Sequence, residues 1–332
     1  MRHPKLVRTS AAFILGAAII LGTTAQRSPS AEAFAQKPAA KAPQADGQGD
    51  KQRLGVLTVR LPLSVKSKDK PVVGLTVNNF EVFEDNKQQR IEGFEAPSRL
   101  PLDIAILMDT SESVKLKLPF EKEAAEDFIS DVSTSIPPSR KRKDQMLFAT
   151  FDSSVELHQD FTDAQEPLIR AIRKVKAGGY TRLYDAVYRV IEEKMAGLQG
   201  TEARRVILIL SDGSDTASDR SLKDAIEMAQ RYDVTIFGIT TKNFTGITSG
   251  MVESADDKEM RRLCEETGGQ IFLPALKADL FRAFAEVAQD LREEYVLFYT
   301  PQNQEKSGKK RIIKVKLVSA SGHLFHKQGY TY

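Results

Sequence analysis

Between residues 100 and 291, short and almost wholly apolar runs alternate with segments whose apolar positions recur every three or four residues. The runs at 103–108, 146–151, 206–210, 234–240 and 270–273 read as strands covered on both faces, because they lack the in–out alternation of a half-solvated strand. Between them, Phe120, Ala124, Phe128 and Val132 share one stripe at four-residue spacing. Tyr184, Val187, Val190 and Ile191 share another, Leu222, Ile226 and Ala229 a third, and Leu280, Phe284, Val287 and Leu291 a fourth. Strand–helix alternation of this kind predicts an α/β fold, a doubly wound and mostly parallel sheet flanked by helices in the Rossmann-like manner.

The rhythm changes on either side. From residue 53 to 99, Val56, Val59 and Leu61 suggest one strand, Val72, Val73 and Leu75 a second, and Phe80, Val82 and Phe83 a third, ending in the turn residues Glu84–Lys87 and followed by Ile91 and Phe94. From 292 to 332, strand patterns recur at 295–299, 312–317 and 324–330, with a polar hairpin loop expected over 301–310. Neither flank is long enough for a sound core of its own, and each alone would expose unpaired edges. The two are therefore expected to join into one small β-sandwich-like domain.

The formal charge of +3 hides an asymmetry. Arg2, Lys5 and Arg8 precede an apolar stretch over 11–21, and small residues follow: the order of a secretory signal. Residues 1–25 hold those three cations and no acid, so the rest of the chain is formally neutral and offers no ground for a nucleic-acid partner. Thr23–Ala25 and Ala33–Ala35 both suit cleavage, the second placing it as late as 35, and retention as an amino-terminal anchor is the alternative. Export to a periplasmic or extracellular space is expected, with membrane contact only if the segment is uncleaved. Residues 26–52, rich in Ala, Pro, Gln and charge, read as a disordered linker. Cys264 is the one cysteine, so no intrachain disulfide forms, and a buried small residue is its expected role.

The candidate chemistry sits at strand ends. Asp109, Ser111 and Ser113 follow the first apolar run, Thr181 lies in the Gly-Gly-Tyr-Thr loop at 178–181, and Asp212 follows the run at 206–210. All five offer hard oxygen ligands, the preference of Mg²⁺, with Mn²⁺ or Ca²⁺ as alternatives. In open α/β sheets ligands bind beyond the carboxyl ends of strands, where strand order reverses.

This constellation is similar to the metal-ion-dependent adhesion site of von Willebrand factor A domains. The resemblance covers about residues 100–290. It implies Ser111, Ser113 and Thr181 as hydroxyl ligands and Asp109 and Asp212 mainly as water-mediated ones, with an outside carboxylate completing the shell. Glu112 stands where glycine is commoner, and Ser211 where threonine is. The flanks, with Gly-Leu-Thr-x-x-x-Phe-x-Val-x-Glu-Asp at 74–85 and a terminal Gly329-Tyr330, resemble a bacterial group of exported proteins related to these domains. The implied function is metal-dependent binding of a protein partner through an exposed Asp or Glu. A cell-envelope component with a purely structural metal is one alternative, and a metal-dependent hydrolase another.

An enzyme is not the expected reading. No nucleophile elbow, Walker loop or zinc-protease helix is present, and His323 and His326 lie on a β pattern without a cysteine partner. Asp185 and Asp215 read as capping or second-layer carboxylates. The basic run at 140–143 reads as a solvated loop, with contact to an acidic partner as its alternative.

Overall fold

The computed structural model describes residues 57–68, 70–96, 100–134, 142–198, 201, 203–212, 215–241 and 254–332. The leader, the linker over 26–52, Val56, and Arg140 and Lys141 of the basic run lie outside the described residues.

The amino-terminal flank forms β1 (Val59–Ser67), β2 (Lys70–Pro71), β3 (Phe80–Glu84), β4 (Lys87–Gln89) and β5 (Ile91–Glu95). The central unit follows as β6 (Leu102–Asp109), α1 (Leu118–Thr134), β7 (Gln145–Phe151), β8 (Val155–Thr162), α2 (Gln165–Lys174), α3 (Leu183–Val190), β9 (Arg204–Ser211), α4 (Leu222–Arg231), β10 (Val234–Thr240), α5 (Ala255–Thr267), β11 (Ile271–Phe272) and α6 (Lys277–Asp290). The chain ends with β12 (Tyr295–Tyr299), β13 (Lys310–Leu317), β14 (His323–His326) and β15 (Gly329–Thr331).

The central sheet has the order β11-β10-β9-β6-β7-β8, parallel except for β8. Alternate residues of each strand serve opposite cores. Ala105 and Leu107 of β6 pack with α3, α4 and α5, whereas Ile104, Ile106 and Met108 pack with α1, α2 and α6. That two-sided burial is why the strand runs carry no polar face. The chain enters at β6, builds outward to β8, then crosses back to place β9 on the other side of β6. The strand order therefore reverses between β6 and β9, and Asp109 and Asp212 stand at the carboxyl ends of those two strands.

Three sequence expectations need correction here. The stripe of α1 buries Ala124, Phe128 and Val132 as expected, with Glu121, Ala125 and Ile129 beside them, but Phe120 is exposed with the Lys277 ammonium 4.8 Å from its ring centre. An acid inside a helix reads as surface, so the place of Glu121 in the stripe was hidden. The strand expected over 72–75 does not form: Val72 N–H still donates to Val65 O at 2.7 Å, but the next backbone groups turn to the Tyr295 hydroxyl. That hydroxyl donates to Val72 O at 2.9 Å and accepts from Leu75 N–H at 3.1 Å. The antiparallel edge strand β8 and the short helix α2 went unread, since β8 buries only Val155 and Leu157 and α2 only Leu168 and Ile172.

The flanks interleave. β1 pairs with β12 and β14 in one sheet, ordered β14-β1-β12-β5 with β2 on β1, and β3 pairs with β13 in a second, ordered β15-β13-β3-β4. Their inner faces share one core containing Leu61, Leu63, Val82, Tyr295, Leu297, Tyr299 and Ile313. Buried Glu84 of the first flank is satisfied wholly by the second. Tyr299 and Tyr330 hydroxyls each donate to its Oε2 at 2.8 Å, and Arg311 donates to Oε1 at 3.0 Å. Such full satisfaction is what makes a buried carboxylate tolerable.

Two further expectations change. β12 and β13 belong to different sheets, so residues 301–310 cross between sheets and do not form a hairpin. The pattern at 324–330 is two strands, β14 and β15, broken where Gln328 N–H donates to Glu266 O at 3.1 Å and Lys327 reaches Asp233. Those contacts, with the buried Lys66–Asp290 pair at 2.6 Å, seat the sandwich on α4, α5 and α6 of the central unit. Cys264 is buried as expected, with its thiol pushed upward by burial. Of the basic run, Arg142 pairs with Asp103 at 2.6 Å and Lys143 with Asp163 at 3.0 Å.

Candidate metal centre

β6 ends in Asp109, and the chain then turns on the aspartate itself. Ser111 N–H donates to Asp109 Oδ1 at 2.8 Å, the local side-chain-to-backbone bond that the Asp-x-Ser spacing permits. This puts Ser111 and Ser113 on one side, with their hydroxyl oxygens 2.9 Å apart. Ser111 is buried and Ser113 is open to solvent. The other oxygen of Asp109 accepts from Ser211 Oγ at 2.6 Å. Asp109 is thereby locked to the end of β9, one residue before Asp212.

The Thr181 loop is tied in through its backbone. Gly178 N–H donates to Thr110 O at 2.6 Å, and Glu112 N–H donates to Gly179 O at 3.2 Å. Gly179 has a φ of +94°, and a Cβ there would lie 2.7 Å from Ser153 Oγ, so this approach requires glycine. Thr181 O then accepts from Thr216 and Ala217 N–H at 3.0 and 3.1 Å, joining the loop to the segment after Asp212. Thr181 is buried, and its hydroxyl has no hydrogen bond among the described residues.

The structure thus brings the three loops together. The 109–113 loop bonds directly to the 178–181 loop and to the end of β9, and the 178–181 loop bonds to the segment beyond Asp212. Asp185 and Asp215 organise the surroundings. Asp215 Oδ1 accepts from Leu183 N–H at 2.8 Å and from Ser218 Oγ at 2.6 Å, capping α3 from another loop. Asp185 accepts from the N–H groups of Asp219 and Arg220 at 3.1 and 3.0 Å. The charge that Glu112 adds is met by Lys115 at 2.7 Å, out in solvent.

Electrostatically the site is short of positive charge. Burial raises Asp109 to about 6 against the hydrogen bonds from Ser211 and Ser111, and the charge of Asp212 pushes the same way as burial. Asp212 Oδ1 is buried with no hydrogen-bond partner among the described residues. A buried, unpaired carboxylate oxygen beside a second buried carboxylate is costly unless a cation joins them. The donor set, two carboxylates and three hydroxyls, fits a hard divalent ion that keeps some of its waters. Among the described residues no group of three His, Cys, Asp or Glu side chains is gathered for a metal.

One buried acid beside this site was not anticipated. Glu121, fully buried in α1, accepts from Thr241 Oγ1 at 2.6 Å, while Thr241 N–H donates to Ser211 O at 3.1 Å. A chain of contacts therefore runs from α1 through the end of β10 to Ser211 and Asp109. Burial raises Glu121 to about 8, with the charges of Asp109 and Asp212 adding to the shift, so it is predominantly uncharged at neutral pH. Its one sequence signal is the placement of an acid at i−3 and i−4 of the buried Ala124 and Ala125.

Several solved structures resemble the chain at low identity. A mussel byssus protein, proximal thread matrix protein 1, was solved with a zinc-occupied MIDAS motif. It is 17% identical, with a TM-score of 0.46, covering 59% of this chain and 49% of that one. A von Willebrand factor type A protein from Catenulispora acidiphila is 12% identical, with a TM-score of 0.44, covering 75% and 74%. The domain of the type V pili tip protein Mfa5 from Porphyromonas gingivalis is 11% identical, with a TM-score of 0.45, covering 57% and 94%. This chain spans about half the length of the mussel protein it matches. Among curated proteins no similar sequence is found. Residues 103–286, more than half of the chain, match the von Willebrand factor type A domain, and the chain belongs to that family.

Proposed function

We propose that this chain is an exported, metal-dependent protein-binding module that captures an exposed Asp or Glu of a partner at the carboxyl edge of its central sheet. Asp109, Ser111, Ser113, Thr181 and Asp212 would hold the ion, with Mg²⁺ favoured and Mn²⁺ or Ca²⁺ acceptable to the same oxygens. A divalent ion held there would supply an electrophilic position open to a carboxylate from outside in exchange for a water, with no covalent bond broken. The chain's own residues do the rest. Ser211 and Ser111 orient Asp109, the Asp215 and Asp185 contacts fix the frame of Thr181, and Ser113 lies on the solvent side where a partner arrives.

The observation that carries this reading is Asp212 Oδ1, buried with no hydrogen-bond partner among the described residues, in a site where burial raises the other carboxylate, Asp109, to about 6. The alternative, a metal that merely holds loops in place, is disfavoured by the same geometry. Backbone hydrogen bonds from Glu112 to Gly179 and from Thr216 and Ala217 to Thr181 already hold those loops.

Export rests on the basic and apolar leader. Among the described residues no helix is long and apolar enough to cross a membrane. The test is Thr181→Ala, assayed for retention of binding proteins from the envelope in Mg²⁺ and for thermal unfolding. The proposed reading expects loss of capture with Tm unchanged. A fall in Tm in Mg²⁺ with capture intact would favour the structural metal.

A further inference from the structure

A cavity of about 210 Å³ opens on the flank of the central unit, where α3 and α4 meet the last strand of the sandwich. None of the five candidate metal ligands lines it. Its walls come from both units: Tyr188 belongs to α3, Met228 to α4 and Thr331 to β15.

Charges of both signs line this space without pairing with one another. Glu227 stands one turn before Arg231 on α4, the arrangement in which an acid and a base ordinarily pair along a helix. Instead Glu227 meets Lys223 at 3.7 Å, and the Arg231 guanidinium has no hydrogen bond or ion pair among the described residues. Arg220 lies over the ring of Tyr188, with its guanidinium carbon 4.0 Å from the ring centre. That group too has no hydrogen bond or ion pair among the described residues, so the aromatic ring holds it in place while its N–H groups stay available. Asp224 commits one oxygen to the cap of α4. Its Oδ2 accepts from Ser221 N–H at 2.9 Å and from Ser221 Oγ at 2.7 Å, and these bonds keep the carboxyl below the usual carboxylate range. Its Oδ1 has no hydrogen bond among the described residues. Met228, which is buried, adds an apolar inner wall.

We propose that this cavity binds a free α-amino acid with an apolar side chain. The carboxylate would go to Arg220 and Arg231, the ammonium to Asp224 and Glu227, and the side chain to Met228. Other small ligands leave charge unmet. Inorganic phosphate suits the two arginines but faces two carboxylates, and a simple cation suits the carboxylates but faces two guanidinium groups. A zwitterion satisfies both signs, and an arginine can grip its carboxylate through two parallel N–H bonds. The volume is that of about seven waters in the liquid, room for one amino acid.

The test is calorimetric titration of L-leucine, L-methionine and L-phenylalanine, each separately, into the whole protein in EDTA. N-acetyl-L-leucine, L-leucinamide and inorganic phosphate serve as controls. Saturable one-site binding of at least one free amino acid is expected. For leucine, either blocked form should bind at least about tenfold more weakly, because each loses one charged end. Arg231 is exposed, so Arg231→Gln is expected to leave Tm unchanged while weakening amino-acid binding about tenfold. Absence of saturable binding for all three amino acids overturns the inference. Equal binding of N-acetyl-L-leucine and leucine, or tighter binding of phosphate, makes the cavity a plain anion site and overturns the ligand class. Amino-acid binding that Arg231→Gln leaves unchanged places the ligand elsewhere and overturns the site.

Discussion

Glu121 is the sharpest test of the electrostatics beneath the candidate site. A glutamate ordinarily titrates at 4.5, and this one is raised to about 8 in the folded chain, mainly by burial. Below pH 4.5 the carboxyl is protonated whether folded or not, and it costs nothing. As pH rises from 4.5 to about 8 the unfolded chain releases the proton and the folded chain keeps it, so folding stability falls by about 1.4 kcal/mol per pH unit. The accumulated penalty is about 4 kcal/mol by pH 8, a large share of what holds a domain together. Glu121→Gln keeps the acceptor for Thr241 and the shape of the side chain but cannot ionise. Urea unfolding in chelator at pH 4.5, 6 and 8 should show the variant and the unaltered protein alike at the lowest pH. At pH 8 the variant should be the more stable by about 4 kcal/mol. Asp109 and Asp290, each raised to about 6, bend both curves in the same direction and largely cancel in the comparison. Parallel pH dependence of the two proteins would show that Glu121 is not a buried neutral acid, and the account of α1 would fail with it.

Two further outcomes follow from the architecture. Gly179→Ala forces a side chain into a left-handed conformation against Ser153 Oγ, and should cost about 1–3 kcal/mol in urea unfolding while weakening Mg²⁺ binding through the displaced Thr181 loop. Removing residues 293–332 deletes β12 to β15 and every partner of Glu84, so limited proteolysis should then cut within 57–96 rapidly. Resistance of that segment would show that the first flank folds alone.

The sequence exposed most clearly those features that burial on two sides imposes. The apolar runs that became β6, β7, β9 and β10 had no competing reading, because a strand between two helical layers has no polar face to confuse the pattern. Asp109 and Asp212 were legible for the same reason, as the first charges after such runs. Thr181 needed the preceding glycines to be noticed. Elements with one solvated side were harder to see: β8 and α2 bury two apolar residues each, too few for a period to show. Long-range hydrogen bonds were invisible. Nothing local announces that the Tyr295 hydroxyl would bond Val72 O and Leu75 N–H, or that β12 and β13 would part into different sheets. Glu121 carried no sequence signal strong enough to notice, because a charge in an amphipathic helix ordinarily faces water, and here the carboxyl stays predominantly uncharged at neutral pH.

The central claim is that the strand-end oxygens form a cation site, and calorimetric titration of Mg²⁺ into chelator-treated protein tests it most directly, with Asp109→Ala in parallel. The account predicts saturable one-site binding that disappears in the variant, at a pH above 7 where Asp109 is ionised. Absence of binding in the unaltered protein, or equal binding in the variant, would contradict it.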